Sequence, residues 1–416
     1  MPESTIFPRL AEPALKLALE DTPVVLVHGP RQCGKTTLAM KVGQRLGFEY
    51  LSLDEDAVRS AARLDPTGFV AQLPERVVID EVQRVPELFL PLKVEVDRRR
   101  TAGRFLLTGS TNILLLPALA DSLAGRMGTL RLHPLAQCEI ERKPAAFIKK
   151  LIGGQFKMRR GRRMAEQLAI RIAAGGFPAA LARKTPSRRK QWYSDYIDSL
   201  VQRDVRDLAR IASLHALPKL LRLAASQSAR LLNISELSSA FQLSRPTIRD
   251  YVTLLERIFI LDELPPWHSN RLKRLVKTPK LHLTDTGLAC ALLRLTPHDL
   301  WEDRDAFGQM LESFVYGELR RQSCGIEDPI EFSHFRDKDG AEVDIVLEHS
   351  GTRISGVEIK ASSTVRPSDF RGLRQLRQAS GKRFHCGVVL YDGEVTVGFG
   401  DGLFAVPLCE LWASAL

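Results

Sequence analysis

The chain has 416 residues, with 60 lysines and arginines against 49 aspartates and glutamates, a net charge of +11. At roughly 100–200 residues per domain this makes about two to four domains. A composition of 44% hydrophobic and 26% charged residues excludes extensive disorder, collagen, a coiled coil and a disulfide scaffold. No apolar run reaches the ~18 residues of a membrane span, and the opening MPESTIFPRL lacks the charged-then-apolar pattern of a secretory signal. The cysteines at 33, 138, 290, 324, 386 and 409 show no zinc spacing. The expectation is a cytoplasmic protein with reduced thiols and no membrane partner.

Residues 24–28, VVLVH, form a short apolar run of the kind that becomes a buried parallel strand. The next residues, Gly29-Pro30-Arg31-Gln32-Cys33-Gly34-Lys35-Thr36-Thr37, match GxxxxGK[ST]. Glycines there let backbone N–H groups turn inward around phosphate oxygens. Lys35 can neutralise the β- and γ-phosphates, the Thr36 hydroxyl can ligate Mg²⁺, and a helix over 35–46 presents its positive end to the same phosphates. ATP and Mg²⁺ are therefore the expected ligands of residues 29–37.

Further strands are expected at 49–54, 76–81, 104–110 and 129–135, separated by helices over 55–63, 88–100 and 113–123. That alternation makes a parallel sheet, whose strand C-termini gather at one edge. Asp80 and Glu81 end one of these strands: Asp80 can hold Mg²⁺, and Glu81 is placed to orient and deprotonate an attacking water. A plain acidic strand cap is the alternative for a single carboxylate. The strand 104–110 ends in Thr108-Gly109-Ser110.

The segments GPRQCGKTTL, VVIDEVQRVPEL, FLLTGSTN, SLAGRM and LRLHPLA resemble the AAA-type ATPase domain of a prokaryotic family related to archaeal and STAND-like ATPases. The resemblance spans nearly the whole chain. It implies that Ser110 or Asn112 reads the γ-phosphate, that Arg126 is an arginine finger or second sensor, and that a helical lid follows the domain. For Arg126 the residue chemistry alone allows a structural salt bridge equally. A finger acting in trans would require a homo-oligomer.

Residues 141–300 hold 30 basic and 13 acidic residues, whereas 1–140 are balanced and 301–416 carry 13 basic and 19 acidic ones. Charge concentrated in one segment builds a local field and points to an anionic partner, nucleic acid foremost. A solvated basic face is the plainer reading. Dense runs lie at 157–163 and 183–190, and a helical pattern extends over Gln191–Arg210. Residues 217–262 read as helix–turn–helix: a helix at 218–229, a second capped by Ser235, and a third capped by Ser244 with Pro246 in its first turn. Ile248, Tyr251, Val252 and Leu255 share one face of that third helix, and Arg245, Thr247 and Arg249 lie largely on the other. Ile258–Leu261 is the expected first strand of a wing, followed by Arg271, Lys273, Arg274, Lys277 and Lys280. A winged helix puts one helix in the major groove and its wing on phosphates, which makes Arg245, Thr247, Arg249, Arg271, Lys273 and Arg274 the expected contacts to nucleic acid, DNA before RNA. The alternative is a winged helix that packs on protein.

In the last hundred residues, Glu312 and Glu318 lie on a helix around 308–319, and strands are expected at 334–336, 341–347 and 354–361. If the last two pair as a hairpin, Asp344 faces Glu358, and Lys360 shares the Glu358 face. Two carboxylates with a lysine suit a hard cation and a metal-bound water attacking a phosphodiester. This resembles the PD-(D/E)xK nuclease-like fold, with Glu312, Asp344 and Glu358 as metal ligands, Lys360 as the catalytic lysine and Gln375 as a further match. Val343 stands where the motif has proline. A fold of this kind without activity is the alternative.

The expected architecture is α/β: an AAA-type P-loop NTPase domain over 1–140, a basic helical lid over 141–215, a winged helix over 216–300 and a small restriction-endonuclease-like α/β domain over 301–416. Two functions stay open. One is an ATPase that binds nucleic acid, with a metal-dependent nuclease domain. The other is a nucleotide-controlled signalling or scaffolding switch whose last two domains bind protein.

Overall fold

A computed structural model describes residues 6–111, 123, 125–200, 217–270 and 278–413. Asn112, most of the helix expected at 113–123, the second half of the 191–210 pattern, Arg271, Lys273, Arg274 and Lys277 lie outside the described residues. The chain packs as two units, Met1–Leu135 with Leu255–Ile260, and Ala136–Leu254 with Leu261–Leu416.

The first unit is a parallel sheet of five strands: β1 (Val24–His28), β2 (Glu49–Ser52), β3 (Val77–Asp80), β4 (Phe105–Gly109) and β5 (Met127–Arg131), in the order β2-β3-β4-β1-β5. The three central strands are β-branched and leucine-rich because both of their faces are covered; every residue of β1, β3 and β4 is buried. Helices Lys35–Arg45, Asp56–Leu64 and Phe89–Arg98 alternate with the strands. Val24, Leu26, Val77, Ile79, Phe105 and Leu107 pack with Phe89 and Leu92 in one apolar core. The last strand begins at Met127, two residues before the expected position. Pairing with β1 sets that register, Val24 opposite Met127 and His28 opposite Arg131.

In the second unit β6 (Arg159–Arg160) follows helices Gln137–Ile140 and Phe147–Gly153, and helices Glu166–Ala174 and Pro186–Ser199 come next. Helix Leu217–Ser226, β7 (Arg230–Leu231), helices Ile234–Phe241 and Arg245–Arg257, β8 (Leu261–Leu264) and β9 (Lys280–Leu283) follow in chain order, and the three strands form an antiparallel sheet ordered β7-β9-β8. Ser244 caps the third helix as expected, accepting from Thr247 N at 3.2 Å. The second helix is capped by Asn233 rather than Ser235: the Asn233 side chain reaches Glu236 N at 3.2 Å, starting the helix before Ser235 can act as a cap. The strand expected at Ile258–Leu261 begins only at Leu261, because Phe259 takes a left-handed conformation (φ 61°) that an extended run cannot contain.

The 20-residue helix Arg304–Ser323 precedes β10 (Ile330–Arg336), β11 (Glu342–His349), β12 (Arg353–Lys360), β13 (Phe384–Tyr391), β14 (Val395–Gly398) and β15 (Leu403–Pro407). With β6 they form a mixed sheet of seven strands, β10-β11-β12-β13-β15-β14-β6. The division expected at 140 falls close to the boundary between the two units at Leu135, whereas those expected at 215 and 300 lie inside the second unit. β6 hydrogen-bonds to β14 as an edge strand, so the segment read as a lid folds with the C-terminal sheet. Among the described residues no helix is long and apolar enough to cross a membrane.

Candidate nucleotide site and carboxylate–lysine cluster

Because the five strands of the first sheet are parallel, the ends of β1, β3 and β4 meet at one edge. Register places His28 beside Gly109 and Ile79 beside Leu107, so the P-loop, Asp80-Glu81 and Thr108–Ser110 converge. In the loop, a Cβ on Gly29 (φ 155°) would overlap the Leu132 carbonyl oxygen, which is why the chain needs glycine there. Gly34 (φ 102°) ends the loop as the residue before helix Lys35–Arg45. The buried Lys35 ammonium donates to the carbonyls of Gly29 and Pro30 at 3.0 and 2.9 Å, drawing the loop around itself. Gln32 is left-handed (φ 59°). The buried Cys33 thiol donates to Leu132 O at 3.4 Å. Arg9 spans the loop and the segment after β5, donating to Cys33 O at 2.8 Å and His133 O at 2.6 Å. Arg31 is half-buried, and Thr37 is exposed on the first helical turn.

Asp80 is 4% exposed and accepts three hydroxyls: Thr36 Oγ1 at 2.9 Å, Tyr50 Oη at 2.9 Å and Thr108 Oγ1. Burial, with Asp80 beside it, pushes the Tyr50 phenol up to about 12, so it remains a donor. Glu81 begins a turn in a left-handed conformation (φ 57°, ψ 45°). Its Oε2 accepts from Ser110 Oγ at 3.1 Å and from the Gln83 amide, which also reaches Ser110 Oγ at 2.9 Å. Sequence reasoning identified Asp80, Glu81 and Ser110 but missed Gln83, Tyr50 and Arg9, whose spacings follow no motif. His28, ending β1, is buried; burial first, then Arg131 and Lys35, lower it to about 4, so its ring is neutral.

Arg126 lies beside Asp97 on helix Phe89–Arg98, with Nη2 and Oδ2 3.1 Å apart. The hydrogen bonds from Arg126 hold the exposed Asp97 carboxyl below its usual range. The structure thus places Arg126 in the salt bridge that the residue chemistry left open.

In the second unit, β11 and β12 pair as a hairpin with Ile345 opposite Val357, which sets Asp344 across from Glu358. Asp344 Oδ2 accepts from Ile359 N at 2.9 Å, and Lys360 donates to Glu358 Oε1 at 2.8 Å. Glu312 approaches from helix Arg304–Ser323, so the four expected residues are brought together. A fifth joins them. Lys280, read above as a basic residue of the wing, has its side chain 7% exposed, with Nζ 2.8 Å from Glu312 Oε1 and 3.4 Å from Asp344 Oδ1. Burial pulls the Lys280 ammonium toward neutrality, but the carboxylates outweigh it and hold the group above the ordinary lysine value. Burial and then Asp344 push Glu358 up to about 8 and Glu312 well above its usual value.

These residues do not fit a divalent cation as arranged. Asp344 and Glu358 each spend an oxygen on a protein donor, and an ammonium stands between Glu312 and Asp344. Among the described residues no three His, Cys, Asp or Glu side chains are disposed to hold a metal. Gln375 sits half-buried on helix Arg371–Ser380. Glu318 is buried, accepting from Gln137 N at 3.0 Å and pairing with Arg321 at 3.1 Å, a structural role.

Arg245 and Arg249 are exposed and Thr247 half-buried on helix Arg245–Arg257, opposite the buried Ile248, Tyr251, Val252 and Leu255. Arg249 also lies 3.3 Å from Glu263 Oε1 on β8.

Residues 21–141 match the family described as AAA domain, and residues 165–299 and 307–411 match two domains of unknown function, DUF8612 and DUF4143. Over 410 residues the chain is 30% identical to the uncharacterized proteins Rv2008c of Mycobacterium tuberculosis and Mb2031c of Mycobacterium bovis, covering 97% of this chain and 84% of each relative. Among solved structures, the Walker-type ATPase PABY2304 of Pyrococcus abyssi aligns with a TM-score of 0.45 at 15% identity, over 70% of this chain and 97% of that one. The chain belongs to the family of the two mycobacterial proteins and carries an AAA-type P-loop ATPase domain at its front.

Proposed function

We propose that the chain binds and hydrolyses ATP at the edge of the five-stranded sheet and uses the nucleotide state to control nucleic-acid binding by its helix–turn–helix. The observation that carries the ATPase reading is the meeting of Lys35, Thr36, Asp80, Glu81 and Ser110 at one sheet edge. The Thr36 hydroxyl and the Asp80 carboxylate, 2.9 Å apart, are hard oxygen donors that fit Mg²⁺, which when bound would neutralise charge on the phosphates. Backbone N–H groups of residues 29–36 and the Lys35 ammonium bind the phosphates. Glu81 takes the proton of the attacking water, and Ser110 and Gln83 hold its carboxylate in place. Arg126 reaches phosphate, in cis or from a second copy of the chain, only when its pair with Asp97 opens.

A helix, β7, two helices and then β8 and β9, with the strands ordered β7-β9-β8, support the winged-helix reading, and Arg245, Thr247 and Arg249 form its contact face. The arginines supply phosphate contacts, so affinity falls with rising salt. The test is fluorescence anisotropy of labelled duplex DNA over a salt series, with and without ATP, for wild type and Lys35→Ala. Salt-dependent binding that responds to ATP only in the wild type supports the proposal; no binding at low salt in either nucleotide state sinks it.

A second reading, a nucleotide switch acting on protein partners, draws support from the fate of the basic segment. Lys150 and Arg159 pair with Glu410, and Arg163 with Asp392, within the second unit. These cations serve the fold, and the ATP-dependent DNA titration separates the two readings.

A further inference from the structure

The carboxylate cluster of the second unit contains a cation that belongs to the chain itself. Lys280 lies on β9, the central strand of its sheet, paired to Leu231 on one side and Leu264 on the other. Two residues on, and therefore on the same strand face, His282 meets Ser313 Oγ at 3.1 Å. The neighbouring Ser228 joins that hydroxyl at 2.8 Å. Lys280 and His282 thus seat β9 on adjacent residues of one helix, Glu312 and Ser313. The chain after β8 and before β9 is pinned to β10 as well: Trp267 N donates to His334 O at 2.6 Å, His334 N donates to Pro265 O at 2.9 Å, and the His334 ring lies 3.2 Å from Thr278 O. Lys280 is therefore a positioned side chain on a docked strand.

We infer that Lys280 is a built-in cation that takes the seat of a divalent metal between Glu312 and Asp344, so that the cluster excludes metal while β9 stays docked. Divalent ions coordinate carboxylate oxygens at about 2.0–2.6 Å. An ammonium 2.8 Å from one of those carboxylates and 3.4 Å from the other stands in the same space and repels a second cation. Two further oxygens are committed, Asp344 Oδ2 to Ile359 N and Glu358 Oε1 to Lys360, while the buried Glu358 Oε2 has no hydrogen-bond partner and is the oxygen a cation would meet once Lys280 is removed. Lys360 is left with a carboxylate partner and no metal-bound water to act on. The β8–β9 sheet, which belongs to the helix–turn–helix region, thereby holds the cluster shut. This inference stands on the second unit alone and is independent of the ATPase reading.

The test is Mn²⁺ binding to the nucleotide-free full chain, counted by electron paramagnetic resonance of free Mn²⁺. Wild type, Asp344→Asn and Lys280→Arg should bind Mn²⁺ alike. Lys280→Met should gain one site at least about tenfold tighter than any in the wild type, because a like charge has been removed from among the carboxylates. The double variant Lys280→Met/Asp344→Asn should lose that site. Wild-type Mn²⁺ binding that disappears in Asp344→Asn overturns the inference, as does a folded Lys280→Met protein with no new site. If Lys280→Met does not fold, wild type against Asp344→Asn decides: an Asp344-dependent site refutes the seat, and identical binding supports it.

Discussion

Replacing Glu81 with glutamine removes the proposed general base with little else disturbed. Glu81 Oε2 accepts from Ser110 Oγ at 3.1 Å and from the Gln83 amide, and a glutamine carbonyl oxygen of the same reach can accept both. The left-handed backbone at position 81 (φ 57°) strains glutamate and glutamine alike. Asp80 keeps its bonds from Thr36, Tyr50 and Thr108, so the phosphate-binding side is untouched. What disappears is the basicity of one carboxylate. A positioned general base contributes about 10²–10⁴ in rate, so turnover should fall by about that factor, roughly 2.7–5.5 kcal/mol in barrier. Phosphate release at saturating Mg-ATP measures the loss, and fluorescent ATP titration should show wild-type affinity. Ser110→Ala and Gln83→Ala each remove one hydrogen bond to the carboxylate and should cost about 1.5–3 kcal/mol of barrier, roughly 10- to 100-fold. Wild-type turnover in Glu81→Gln would refute the assignment. A loss of affinity as large as the loss of turnover would show that Glu81 shapes the pocket instead of acting on water.

Three further outcomes follow from the same geometry. Gly29→Ala should abolish ATP binding in the same titration and lower the melting temperature, because its Cβ overlaps the Leu132 carbonyl oxygen across a backbone contact that cannot give way. His28 is lowered from 6.5 to about 4 by burial, so as pH falls the unfolded chain takes up its proton first. Its contribution to stability is complete above pH 6.5 and is lost as pH falls from 6.5 toward 4, about 3 kcal/mol at the limit; denaturant midpoints at pH 7.5 and 5 should converge in His28→Gln relative to wild type. Arg245→Glu should weaken DNA binding and reduce the salt slope by about one counterion, with Arg249→Glu having the smaller effect because Glu263 already engages Arg249.

The two sites were not equally readable from sequence. In the first unit, motif and position coincide: glycine spacing marks the loop, and an apolar run ending in Asp80-Glu81 marks a strand end, which a parallel sheet must bring to the loop. What stayed hidden were contacts made across the sheet, such as Tyr50 to Asp80, and the turn that brings Gln83 back to Glu81. No spacing encodes these, since they depend on strand order and on a left-handed residue. Arg126 was legible only through resemblance, and its actual partner, Asp97, lies on another element 29 positions away. In the second unit the period-two alternation correctly paired Asp344 with Glu358. Lys280 was misread for a physical reason: a lysine in a basic run looks solvated until the strand carrying it is known to dock on a helix bearing Glu312.

The same contact changes the meaning of the charge distribution. A segment of net +17 followed by one of net −6 looks, along the sequence, like an anion-binding surface beside a metal site. In the fold, part of the contrast is internal: Lys150 and Arg159 face Glu410, Arg163 faces Asp392, and Lys280 faces Glu312 and Asp344. Charges paired inside a folded unit raise little outward field, and those with a side chain only 7% exposed, as Lys280 is, raise almost none. Exposed cations among the described residues include Lys157, Arg160 and Arg162 around β6, Arg183, Lys184 and Arg188 before and at the start of helix Pro186–Ser199, and Arg245 and Arg249 on the third helix. An affinity that depended on Lys150, Arg159 or Arg163 as strongly as on Arg245 would mean those ion pairs open on binding, and the loss of each should then be accompanied by weakened packing of β6 on β14.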